Sequence, residues 1–100
     1  MPVKKRTPRW EDLLTLTVLA RNGNYSAAAR ELGLTHATIG RRIQRLEEAL
    51  GTVLTARRDA GLQLTEAGRL ALAAAAEMER SAGRLTRTLE ARPAGLDGRI

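Results

Sequence analysis

Ser26–Leu50, SAAARELGLTHATIGRRIQRLEEAL, is the stretch on which the fold turns. It divides into a short helix, a tight turn and a second, basic helix. Ser26 is a residue type that caps helix N-termini, and Ala27 to Leu32 are strong helix formers. Gly33 can adopt the left-handed conformation that stops a helix, and Thr35 supplies the cap for the next one. Ala29 is small where two helices must cross closely, while Ala28, Leu32, Leu34, Ile39, Ile43, Leu46 and Leu50 recur at helical spacing. That is a helix-turn-helix pattern. The second helix carries Arg41, Arg42 and Arg45 with no acid between Thr35 and Leu46, which suits a major groove flanked by phosphates.

The rest of the composition narrows the possibilities. One hundred residues make at most one domain with a modest core, and a net charge of +6 points to a polyanionic partner, nucleic acid first. There is no cysteine, so disulfides, thiolate chemistry and cysteine-based metal sites are excluded, in keeping with a reducing cytoplasm. No run approaches the roughly 18 apolar residues of a membrane span, and the N-terminus lacks the apolar core of a secretory signal. A cytoplasmic location is expected. Trp10 and Tyr25 are the only aromatic residues, too few for a platform that stacks single strands.

Outward from the motif, residues 1–9 form a basic arm with Lys4, Lys5, Arg6 and Arg9, expected to be mobile unless something orders it. Trp10 to Asn22 is predicted to be a helix with two apolar faces, Trp10, Leu13, Leu16 and Ala20 on one, Leu14 and Val18 on another. One should pack on the helix-turn-helix and the other on the long C-terminal helix or a partner subunit. Beyond Gly51, Val53–Ala56 and Leu62–Leu64 predict a small hairpin whose intervening Arg57 and Arg58 face DNA as a wing. Together, residues 10–64 are expected to form a winged helix-turn-helix domain, mainly α.

Thr65 is a candidate N-cap, with Glu66 in the first turn of an uninterrupted helix reaching about Arg92. Ala67, Ala71, Ala74, Met78, Ala82, Leu85 and Leu89 step along it by three or four, a seam for another helix. The alternative is an amphipathic helix folded back on its own domain, but the seam outruns a domain this small, which favours self-association into a homodimer. Pro93, Ala94 and Gly95 break the helix. Residues 93–100 then read as a hinge toward a further domain, as in a fragment of a longer chain.

This order of elements resembles the N-terminal DNA-binding domain of the LysR-type transcriptional regulators. The resemblance rests on NYSAAARELGLTHATIGRRIQRLEEALG, then LTAR, then LTEAG at the start of the long helix. It implies DNA contacts from Ser26 and from Thr35, His36, Ala37, Thr38, Gly40 and Arg41 on the recognition helix, with Arg57 at the wing. Arg42, Arg45 and Arg58 join the candidate set by charge and position. It also implies a dimer or pair of dimers assembled through the long helix, where the seam offers Ala71, Ala74, Met78, Ala82, Leu85 and Leu89, and a two-fold dimer should read an inverted-repeat double-stranded operator. A C-terminal effector-binding domain that senses a small molecule would complete such a protein. Three positions depart from the family pattern: Ala37 replaces proline, Gly40 replaces serine, and Thr55 replaces the phenylalanine that anchors the wing.

Other functions fit less of the chain. His36 has neither a cysteine nor a second histidine with which to build a metal site, and Glu47 and Glu48 point to different sides of their helix, as surface charges near Arg41 and Arg45. Neither an enzyme nor a bound cofactor is therefore expected. A helical dimerisation or adaptor module accounts for Ala67 to Leu89 but not for the basic helix or the wing.

Overall fold

The computed structural model describes residues 6–59 and 61–93. Its order is α1 (Trp10–Asn22), α2 (Tyr25–Leu32), α3 (His36–Leu50), β1 (Thr55–Arg58), β2 (Gly61–Leu64) and α4 (Glu66–Glu90). Among the described residues the architecture is that of the expected winged helix-turn-helix, four helices with one two-stranded antiparallel hairpin.

Helix α1 occupies the centre and packs on α2, α3, α4 and β2. Its two apolar faces are thus both covered within one chain, with Leu13, Leu16, Val18 and Leu19 all buried. Trp10, at the helix start, lies at the edge of this packing and is 39% exposed. From α3, Ile39, Ile43 and Leu46 enter the same core at spacings of four and three, as an amphipathic helix requires.

The helix ends follow from local chemistry. Thr35 accepts the Thr38 N–H at 3.1 Å and Thr65 accepts the Gly68 N–H at 3.0 Å, both as expected from sequence. Gly33 closes α2 at φ 67°, where an L side chain would be strained. At the start of α2 the expectation fails: Asn24, not Ser26, is the cap, its side chain accepting the Ala27 N–H at 2.8 Å. Both residue types can cap a helix, and the earlier one takes the position because Tyr25 and Ser26 are already helical.

The hairpin begins later than expected. Thr55 pairs with Leu64 and Arg58 with Gly61, so both arginines lie in β1 instead of the connecting turn. Val53 stands outside the strand and is 60% exposed. Glu47 also departs from its expected role as a surface charge, because its Oε2 accepts the Leu54 N–H at 2.9 Å and ties the end of α3 to the chain entering the wing. Leu54 itself is fully buried.

A close joint fixes the start of α4. Thr65 Oγ1 donates to the Val53 carbonyl at 2.7 Å, and the Thr65 N–H donates to the Leu54 carbonyl at 2.9 Å. A Cβ added at Gly68 would collide with the Leu54 carbonyl oxygen and stand 3.2 Å from Leu64 Cβ. Glycine is what lets the helix lie against the chain entering the wing. Ala71 and Ala75 then pack into the intrachain core, which corrects the assignment of Ala71 to a dimer interface. From Met78 onward the globular part ends, and Met78, Leu85 and Leu89 are 42%, 59% and 48% exposed.

Part of the basic arm packs on the domain. The Arg6 N–H donates to the Ala49 carbonyl at 2.9 Å, so residues 6–9 run beside the C-terminal end of α3. Residues 1–5, and the expected hinge from residue 94 on, lie outside the described residues.

Candidate nucleic-acid interface

The first turn of α3 and its neighbours form the candidate surface. Thr35, His36 and Ala37 are exposed, while Thr38 and Gly40 are half-buried. Thr35 and Thr38 hydroxyls lie 2.9 Å apart, and Arg41 Nη2 donates to Thr38 Oγ1 at 3.1 Å. This chain of hydroxyls holds the Arg41 guanidinium along the exposed face of the helix. Among the described residues no carboxylate forms an ion pair with Arg41.

A cleft of about 270 Å³ opens beside this helix start, lined by Asn24, Tyr25, Ser26, His36, Arg57 and Leu62 among others. Three elements therefore bring together residues far apart in sequence: Ser26 from α2, His36 from α3 and Arg57 from the wing. Tyr25 and His36 meet edge to face, with ring centroids 5.0 Å apart and planes at 86°. Burial, and secondarily the Glu47 carboxylate, pushes the Tyr25 phenol above its ordinary pKa, against an opposing effect of Arg57. The phenol stays protonated at neutral pH and is a donor at the cleft. Tyr25 was absent from the sequence-derived site residues; its place at the first position of α2 was the available signal, hidden by the assignment of the cap to Ser26.

The other arginines divide. Successive residues of a strand point to opposite faces, so Arg57 lines the cleft while Arg58, also exposed, projects from the other side of the ribbon. Arg42 and Arg45 turn toward α1. Arg45 Nε donates to Asp12 Oδ2 at 2.8 Å and its Nη2 donates to Asp12 Oδ1 at 2.6 Å. Hydrogen bonding to Asp12, reinforced by the charges of Asp12 and Glu11, raises the Arg45 pKa. Arg42 Nη1 reaches Thr15 Oγ1 at 3.3 Å and its Nη2 lies 3.6 Å from Glu11 Oε2. Sequence reasoning placed three arginines on a DNA-facing helix, but the structure engages two of them with α1. Glu11 and Asp12, their partners, were overlooked because they stand more than thirty residues before the arginines they meet and belong to no recognisable motif.

Among the described residues, no group of three or more histidines, cysteines or carboxylates is placed to hold a metal ion, and no helix is long and apolar enough to cross a membrane. The geometry instead offers hydrogen-bond donors, a basic strand and an exposed helix face.

Comparison with known proteins identifies this arrangement. The CbnR DNA-binding domain in its DNA complex superposes with a TM-score of 0.75 at 35% identity, covering 83% of this chain and 95% of that one. Full-length LysG from Corynebacterium glutamicum gives 0.82 at 26% identity, covering 90% of this chain and 31% of that one. In sequence, the chain is 44% identical over 61 residues to the HTH-type transcriptional activator TtdR of Escherichia coli (strain K12), covering 61% of this chain and 20% of that protein. It is 37% identical over 81 residues to the Mau operon transcriptional activator of Paracoccus denitrificans, covering 81% of this chain and 29% of that protein. The chain thus spans about a fifth to three tenths of the length of these curated relatives, which carry the names of regulators. The family model of the bacterial regulatory helix-turn-helix proteins of the LysR family matches residues 10–69, from the first residue of α1 into the second turn of α4, and the chain belongs to that family.

Proposed function

We propose that this domain binds double-stranded DNA sequence-specifically as the DNA-reading part of a cytoplasmic transcriptional regulator. Helix α3 enters the major groove, where Thr35, His36, Ala37, Thr38, Gly40 and Arg41 meet base edges. Ser26 and the Tyr25 hydroxyl serve phosphates, and Arg57 reaches the backbone or minor groove. The observation that carries this assignment is the convergence of Ser26, His36 and Arg57 on one cleft beside the exposed start of α3. The existence of a DNA complex for the structurally similar CbnR domain supports it.

The exposed stripe Met78, Ala82, Leu85 and Leu89 on α4 pairs with a second copy, and Ala74, exposed one turn earlier, flanks it. The two recognition helices of a homodimer then read an inverted repeat. A helical dimerisation module without DNA readout would explain that stripe but leaves the cleft and the ordered Arg41 without a role.

Selection of bound sequences from a random duplex pool, followed by affinity measurements at several salt concentrations, tests the proposal. An enriched inverted repeat and a steep fall of affinity with salt are expected, because phosphate contacts release counterions. Absence of an enriched sequence, with affinity indifferent to salt, would refute it.

A further inference from the structure

The acidic start of α1 meets the basic face of α3 in an uneven way. Asp12 is 1% exposed and takes both oxygens into a fork with Arg45 at 2.6 and 2.8 Å. That pair is short, two-pronged and partly sheltered from water. Glu11 is different: its side chain is 49% exposed and its carboxylate is shared among Arg45 at 3.1 Å, Arg42 at 3.6 Å and Arg9 at 3.9 Å. Among the described residues, Arg42 has only that long contact and a 3.3 Å bond to the Thr15 hydroxyl, whose own proton is donated to the Glu11 carbonyl at 2.8 Å. The Arg42 side chain, 25% exposed, is therefore held near α1 by a long ion pair to a half-exposed carboxylate, while Arg45 is fixed by a buried one.

We infer that Glu11 is an internal counter-ion occupying Arg42 in the free domain, and that a DNA phosphate takes its place on binding. This rests on the proposed DNA-binding function. A carboxylate and a phosphodiester oxygen offer a guanidinium the same kind of acceptor, so the exchange trades one charge-assisted contact for another. Arg45 does not take part, because leaving Asp12 would strand a buried carboxylate. Arg42 lies about 100° around the helix from Arg41, which places it toward the groove wall and its phosphates, away from the base edges. Glu11 is then a positioning residue that sets overall affinity and leaves sequence preference unchanged.

Glu11→Gln removes the competitor while retaining a hydrogen-bonding side chain of the same length. Affinity for the selected site and for an unrelated duplex should both rise by about two- to fivefold at low salt, the range of an exposed ion pair. On an Arg42→Gln background, Glu11→Gln should change affinity by less than about 1.5-fold, since the partner of the exchange is gone. Glu48→Gln gives the effect of removing another exposed carboxylate, this one on α3 and in no ion pair among the described residues. A Glu11→Gln gain no larger than that of Glu48→Gln, or one that persists without Arg42, would overturn the exchange and leave Glu11 as a distant charge. No gain, or a loss, in a Glu11→Gln protein with wild-type melting behaviour would overturn it as well. Failure of the wild type to bind any duplex would instead overturn the DNA-binding function, and the exchange with it.

Discussion

Arg45 on α3 and Asp12 on α1 form a two-pronged ion pair in which the carboxylate is buried and the guanidinium half-exposed. The pair ties the middle of α3 to the first turn of α1. Removal of the arginine leaves a buried carboxylate without its main partner, a costly state in a protein interior. Arg45→Ala is expected to lower the melting temperature by about 5 °C, a typical response of a domain this small to losing one good interaction. Its base preference, measured by binding-site selection, should match the wild type, because Arg45 holds the helix and does not reach bases.

Arg41 should behave in the opposite way. Held along the exposed face by Thr38, it is placed to present a guanidinium to guanine O6 and N7. Arg41→Ala should leave melting unchanged and flatten selection at one base position of each half-site, by about 1–3 kcal/mol of discrimination. Arg42→Ala should weaken all sequences alike. Uniform losses in both variants would remove Arg41 from the base-reading set.

Two glycines make a matched pair of opposite sign. At Gly40 the nearest atom to an added Cβ would be Tyr25 Cε2 at 3.9 Å, an ordinary contact, so alanine there should stabilise the helix by about 0.5–1 kcal/mol. At Gly68 an added Cβ meets the Leu54 carbonyl, and Gly68→Ala should cost about 1–3 kcal/mol, as overpacking does. Chemical denaturation measures both. If Gly40→Ala folds more stably but binds DNA less tightly, the bare backbone at residue 40 is serving close approach to the duplex.

Glu31 supplies a pH-dependent joint between α1 and α2. Its carboxylate accepts from Asn22 Nδ2 at 2.9 Å and pairs with Arg21, and the Asn22 hydrogen bond is the main cause of its lowered pKa. A depressed acid stabilises the fold above its ordinary value of 4.5 and loses that contribution as pH falls through the still lower folded value. Wild type should therefore melt above Glu31→Gln at pH 7 and at pH 5, and the gap should narrow as pH falls below 4.5 toward the lower folded value. A gap that persists in acid would mean that the glutamine itself disturbs the joint.

The unpartnered half of α4 gives a test of assembly. Leu85→Glu places a carboxylate on the exposed apolar stripe, opposite its own copy in a homodimer, where like charge and desolvation oppose association. The variant should be helical by circular dichroism, sediment as a monomer, and bind a full inverted repeat no better than a half-site. A stable dimer would place the interface elsewhere.

Much of this was legible in local chemistry. The hydroxyls of Thr35 and Thr65, Gly33 and the spacing of Ile39, Ile43 and Leu46 each dictate structure within one or two helical turns, and the chain obeys them. What escaped was decided by competition or by distance. Asn24 and Ser26 are both capable caps, and only the packed start of α2 selects between them. The long helix shows one continuous stripe in sequence, yet the core of the domain covers it at Ala71 and leaves it bare at Leu85. Arg42 and Arg45 look like Arg41 until the fold brings Glu11 and Asp12 against them. A charge's purpose depends on which opposite charge arrives first.

The joint at Thr65 has a mechanical meaning. One hydroxyl receives the first turn of α4 and grips the chain entering the wing, and Gly68 removes the clearance that would let the two slide. Hairpin and long helix consequently behave as a single lever whose short arm carries Arg57 and whose long arm ends near Glu90. In the homodimer proposed above, a twist of the paired long helices would re-aim both wings together, from the far end of a helix roughly 37 Å long.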